Sequence, residues 1–146
     1  MWSLKRAKVV GMVGVVGLFG CGSSSTGPSP ASLHGTWNAT QAQLKSTVSA
    51  SQVDLVTMGG TVVLVLDPAG TFTLTITMPG QPVDVRAGTW SSSDILTLHF
   101  TSGWSGEWQF DLALNGDTLT LTGAHTDYDY GNGMEDCRLN LVMARQ

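Results

Sequence analysis

The chain has 146 residues, 7 of them basic and 11 acidic, for a formal net charge of −4. A net charge of that sign repels nucleic-acid phosphates and anionic lipid heads, so recognition of either through overall charge is not expected. Two cysteines, Cys21 and Cys137, are too few for a cysteine-built zinc site.

Residues 1–20 open with Lys5, Arg6 and Lys8 and continue as the apolar run VVGMVGVVGLFG. That run falls short of the about 20 apolar residues a membrane span needs. A basic start, a short apolar stretch and a small-residue end form the pattern of a secretory signal peptide. The end itself, Leu18-Phe19-Gly20-Cys21, resembles the lipobox of bacterial lipoproteins. The resemblance implies cleavage before Cys21 and acylation of its sulfur. With Gly22 and not Asp next, it also implies sorting to the outer membrane of a two-membrane cell, or otherwise display at the cell surface. Several acyl chains on one residue give a stable anchor where a single chain binds only reversibly. Processing would leave four basic residues against eleven acidic, a net charge of −7, and Cys137 as the remaining thiol. No intramolecular disulfide is then available.

Residues 22–32, GSSSTGPSPAS, read with Cys21 as a lipidated Gly/Ser/Pro tether, residues 21–32. A flexible segment of that length spans about 17–20 Å root-mean-square. Residues 33–146 suit one domain with one core. Within it the apolar period is two. TFTLTITM sets Phe72, Leu74, Ile76 and Met78 against four threonines, and EWQFDLAL sets Trp108, Phe110, Leu112 and Leu114 against Glu107, Gln109 and Asp111. Eight strands are predicted, at about 34–43, 60–67, 71–78, 82–90, 95–101, 105–114, 117–124 and 135–144. Turn signals such as DPAG, MPGQP, NGD and YGNG separate them. Residues 46–58 lack the pattern and suggest a short helix or a lid-like loop, which would also cover part of the doubly apolar TVVLVLD strand. Strands on short hairpins favour an all-β, eight-stranded antiparallel up-and-down barrel, because closure removes the sheet edges; a sandwich is the alternative. The interior list adds Val83, Val85, Leu96, Leu98, Phe100, Leu119, Leu121, Cys137, Leu139, Leu141 and Met143, and it contains no charge.

Gly35-Thr36-Trp37 on the first strand, with Arg145 after the last, resembles the lipocalin (calycin) pattern. In that family the tryptophan closes one barrel end under an arginine, a role the resemblance gives to Gly35, Trp37 and Arg145, with Arg138 as the other arginine in reach. Gly70-Thr71-Phe72, Gly88-Thr89-Trp90 and DYDYGNGMED are similar, in order, to motifs of small bacterial lipocalin-like domains. The resemblance spans residues 33–146, which are shorter than a full-sized lipocalin. A guanidinium over an indole is worth about 0.5–2 kcal/mol whatever the family.

The acid-rich stretch AHTDYDYGNGMEDC, residues 124–137, has two readings. Asp127, Asp129, Asn132 and Glu135 are hard oxygen donors, as an irregular calcium (Ca²⁺) site would need, but the spacing breaks the EF-hand rule at its fifth and sixth positions. The stronger reading is a solvated hairpin turn. Gly123 then acts as a bulge that resets the register, turning Tyr128 and Tyr130 inward and leaving the acids outside. His125 with Asp127 supplies two metal ligands and no clear third; His34 and His99 read as surface residues. No nucleophile elbow, zinc-protease helix or phosphate loop is present, so the chain does not read as an enzyme.

The resulting expectation is a membrane-anchored lipocalin-like lipoprotein that binds a small apolar molecule at the cell envelope. Trp104, Trp108 and Tyr128 are the candidate ligand contacts. The alternative is a filled barrel working through its surface, as an envelope scaffold or an inhibitor of a basic hydrolase. A cavity of at least about 300 Å³ separates the two.

Overall fold

The computed structural model describes residues 26–146. The signal segment 1–20, the lipidation candidate Cys21 and the first part of the tether lie outside the described residues.

One helical turn, α1 (Pro30–Leu33), precedes nine strands: β1 (Gly35–Ser46), β2 (Gln52–Asp54), β3 (Thr61–Leu66), β4 (Thr71–Thr77), β5 (Asp84–Ser92), β6 (Ile95–Ser102), β7 (Gly106–Asn115), β8 (Thr118–Asp129) and β9 (Met134–Arg145). From β3 to β9 each strand pairs antiparallel with its successor; β3 pairs β1, and β9 returns to β1 over Trp37–Ser46. The result is a closed eight-stranded up-and-down barrel. The ninth strand, β2, stays outside the ring. It pairs with Gln43–Lys45 on the edge of β1 that β3 leaves free after Asn38.

Alternation drives this closure. On β4, Phe72 and Leu74 are buried while Thr71 and Thr73 are exposed. Leu64, Leu74, Leu96, Leu98, Phe110, Leu119, Leu121, Leu141 and Met143 converge in the lumen, none more than 2% exposed. Each such side chain stabilises the fold by about 1.5–3 kcal/mol.

One barrel end is plugged. The Arg145 guanidinium lies 4.2 Å from the centre of the Trp37 ring. Its Nη1 and Nη2 donate to the carbonyls of His34 and Ser32, both at 2.6 Å. The Trp37 indole in turn donates to the Leu33 carbonyl at 2.8 Å. Residues of the predicted tether therefore belong to the barrel: α1 packs on its end, and Leu33 is fully buried. Gly27 lies so close to the Ser93 carbonyl that a Cβ there would collide with it.

Other expectations also change. Residues 46–58 contain β2 and a turn, not a helix, and Leu55 from that turn enters the core. On the outer side of β3 Val65 is 36% exposed, while Val63 is half-buried. Val83 and Val85 are 57% and 52% exposed, not inward. The register of β5 puts Arg86 opposite Leu74 and Gly88 opposite Phe72 and Phe100, so Asp84, Arg86, Gly88 and Trp90 share the inward phase. The larger apolar surface of Trp90 outweighs the two valines in setting that phase. The inward face of β5 thus carries a half-buried charged pair at its open-end start.

Candidate functional site at the open barrel end

The end opposite the Trp37 plug is built from the last residues of β1, β4, β6 and β8 and the first of β3, β5, β7 and β9. A recess of about 190 Å³ opens there, lined by Leu44, Leu55, Ile76, Met78, Asp84, Arg86, Trp108, Thr126, Asp127, Tyr128 and Leu139. Below it the inward side chains, among them Leu64, Leu74, Leu98 and Phe110, form one buried hydrophobic cluster. At about 30 Å³ per molecule the recess has room for about six waters, and it falls below the about 300 Å³ at which drug-sized pockets begin.

Arg86 dominates its chemistry. The inward phase of β5 aims the side chain at the mouth, where Asp84 Oδ2 accepts from Nε at 3.0 Å and from Nη2 at 2.7 Å. The guanidinium carbon sits 5.5 Å from the Trp108 ring centre and 5.9 Å from that of Trp104. These indoles continue an edge-to-face aromatic chain. Phe72 meets Phe100 at 5.1 Å, and Phe100 meets Trp108 at 5.0 Å and Trp104 at 4.9 Å. Trp108 is 3% exposed, yet its indole N–H has no hydrogen-bond partner. A buried donor left unpaired costs about 1–3 kcal/mol.

The bulge at Gly123 shapes the other wall. Its φ is +91°, and the register slips between Leu121 and Ala124, which resets the phase of β8. Gly123 N–H donates to Asn140 Oδ1 at 3.0 Å, while Arg138 Nη1 donates to the Gly123 carbonyl at 2.8 Å. Beyond the bulge, Tyr128 and Tyr130 pack toward the core and Asp127 and Asp129 are exposed. The Tyr130 hydroxyl, buried without a partner, is pushed up to about 12 by burial and by the neighbouring Cys137. Burial also raises the Cys137 thiol.

The sequence-derived candidates divide. Trp108 and Tyr128 share the recess, and Trp104, 40% exposed, stacks at its rim. The four oxygen-donor residues do not gather as a cation site. Asp129 Oδ1 accepts from Gly131 N–H at 2.8 Å and Gly133 N–H at 3.1 Å, and exposed Asn132 stands at the hairpin tip. Asp127 faces Asp136 across the strands. Glu135 faces the mouth opposite Tyr128, not outward with the other acids. Hydrogen bonds from Ser46 and Ser49 hold its carboxyl below the usual range. Among the described residues no three His, Cys, Asp or Glu side chains stand where they could hold a metal ion. His125 faces Asp136 at 3.4 Å rather than joining Asp127.

Asp84 and Arg86 are the site residues that sequence reasoning missed. Their signal was an acid–base pair two positions apart, in phase with Gly88 and Trp90.

No family model matches the chain, and no curated protein sequence matches it. Among solved structures, a rhizavidin–biotin complex aligns with 74% of this chain and 95% of its own, at 11% identity and a TM-score of 0.39. The barrel described above stands on its own strand registers.

Proposed function

We propose that this chain is a non-enzymatic, lipocalin-like binding protein whose open end takes a small molecule with an apolar body and an uncharged hydrogen-bond acceptor. The observation that carries the reading is Arg86, an arginine in an inward register that stability alone would fill with a hydrophobe. It is clamped by Asp84 over two indoles at the recess. Leu44, Leu55, Ile76, Met78 and Leu139 supply the apolar wall. Asp84 already balances Arg86, and Glu135 and Asp127 stand nearby, so a carboxylate would enter against three acids. A carbonyl suits the unpartnered Trp108 N–H and the remaining Arg86 donors. The small volume limits the guest, or leaves its tail outside. A lipobox-like Leu18–Cys21 supports placing the protein at the cell envelope, anchored through Cys21.

Titration of residues 22–146 with medium-chain methyl ketones and the matching acids, followed by tryptophan emission, tests the reading. Saturable quenching by the ketones, weakened in Trp108→Phe and Arg86→Met, is expected. Absence of any saturable response would refute it. The anchor is tested separately, because Cys21→Ser should move the protein out of the membrane fraction.

The small volume of the recess favours a second reading, docking of a basic protein on the open end. Most of the exposed large hydrophobic residues, Val48, Met58, Val83, Val85, Trp104 and Met134, ring that end together with the acidic hairpin. A basic hydrolase captured by the wild type and released by Met134→Asp would support this over small-molecule binding.

A further inference from the structure

A second concavity lies on the outer wall, away from the mouth. β7 and β8 pair only from Asp111 opposite Thr122 to Asn115 opposite Thr118. Past the Gly123 bulge β8 pairs with β9 alone, and the wall opens into a groove of about 690 Å³. Phe110, Gln109 and Asp111 form one flank and His125, Arg138, Asn140 and Lys45 the other.

Three strands place Lys45, Arg138 and His125 in one row. Lys45 stands directly opposite Arg138 on the β1–β9 pair, and His125 directly opposite Arg138 on the β8–β9 pair. Like charges facing each other across strands cost stability. After residue 21 the sequence holds four basic residues and eleven acidic, yet two of the four are set against each other here. Arg86 and Arg145 each have a carboxylate within 4.0 Å, whereas among the described residues neither Lys45 nor Arg138 has one. The acid in the next row, Asp136, is taken by the Thr47 hydroxyl at 2.6 Å and by His125 at 3.4 Å.

The remaining polar groups face the groove mainly as donors. Arg138 is held by one nitrogen on the Gly123 carbonyl, which leaves its other N–H groups free. Asn140 accepts from Gly123 through Oδ1, so its amide NH₂ is a donor. Asp111 is the one carboxylate in the lining and stands on the opposite flank.

We infer that this groove binds a phosphate group, a compact oxyanion whose charge offsets the Lys45–Arg138 repulsion and whose oxygens take the free donors. The inference is independent of what the mouth binds.

Residues 22–146 carry every barrel strand and serve for the test. Inorganic phosphate, titrated at constant ionic strength against chloride, should shift the amide resonances of Lys45, Gly123 and Arg138 saturably in the millimolar range and raise the melting temperature. Lys45→Gln and Arg138→Gln should each weaken binding about tenfold, while Lys45→Gln raises the melting temperature of the phosphate-free protein. Arg138→Lys keeps the charge and should retain binding, and the mouth variant Arg86→Met should bind phosphate unchanged. Sedimentation with phosphatidic acid vesicles distinguishes the sources: pelleting reversed by phosphate assigns the group to a lipid head, and phosphate binding without pelleting assigns it to a soluble phosphomonoester. Resonances that do not saturate, or that respond equally in Lys45→Gln, would overturn the inference.

Discussion

Arg145→Met removes the guanidinium from the plugged end while keeping an apolar stem over the Trp37 indole. Three interactions are at stake, and their sizes differ. The ion pair to Asp117 is 3.4 Å long, but that carboxylate is 85% exposed, so it is worth at most about 1 kcal/mol. The cation–π contact at 4.2 Å contributes about 0.5–2 kcal/mol, part of which the methionine retains. The two 2.6 Å bonds to the His34 and Ser32 carbonyls are charge-assisted, at about 1.5–3 kcal/mol each. Solvent reaches a side chain that is 29% exposed, so the low end of that range applies, and the expected loss is about 3 kcal/mol. An unfolding entropy of about 2.1 cal/mol/K per residue over about 120 residues converts this to a fall of about 12 °C in melting temperature. Circular dichroism melts of wild type, Arg145→Met, Arg145→Lys and Asp117→Asn provide the assay. Lysine keeps the charge but loses the planar fork, so it should recover less than half of the loss, while Asp117→Asn should cost under about 2 °C. Arg145→Met melting within about 3 °C of wild type, or Asp117→Asn matching it, would show that the carbonyl clamp does not hold this end together.

Glu135 and Asp136 have folded-state pKa values below their unfolded ones, held there by Ser46 and Ser49 and by Thr47 and His125, so their stabilisation is full above the unfolded values and lost as pH falls through the folded ones. The melting temperature should therefore drop below about pH 4.5, and the drop should be shallower in Glu135→Gln/Asp136→Asn. Tyr130 has the opposite sign: the unfolded phenol ionises near its ordinary value while the folded one keeps its proton to about 12, so stability falls as pH rises above 10 and Tyr130→Phe should flatten that limb. Gly88→Ala would drive a Cβ into the His99 carbonyl at the β5–β6 bulge, and it should leave little folded protein by size-exclusion chromatography. Millimolar calcium should not move the melting temperature, because Asp129 and Glu135 already serve as backbone and serine acceptors.

Strict alternation made most strands legible, and the bulge at Gly123 followed from the conflict between Leu121 inside and His125, Asp127 and Asp129 outside. On β5 the same logic misled, because DVRAGTW offers two phases, one with valines and the other with Trp90. Which phase faces inward depends on pairing with Leu74 and Phe100, contacts that a single strand does not display. The aromatic half of the mouth could be anticipated from Trp104, Trp108 and Tyr128, each an amphipathic ring near a strand end. The Asp84–Arg86 clamp was missed with the phase of β5, since a charged pair reads as solvent-facing until Trp90 is placed inward and carries it along. β2 escaped notice because three residues are too short to show a period.

The route by which the chain enters the barrel has a mechanical consequence. Thr26 to Leu33 reach the fold at its floor, by the Ser93 turn and the end of β7 and then beneath Trp37 and Arg145, so a pull from upstream loads that floor and its guanidinium clamp rather than the open end. Were the chain tethered through that segment, as proposed, the recess would point away from the support and be presented to whatever lies across the gap.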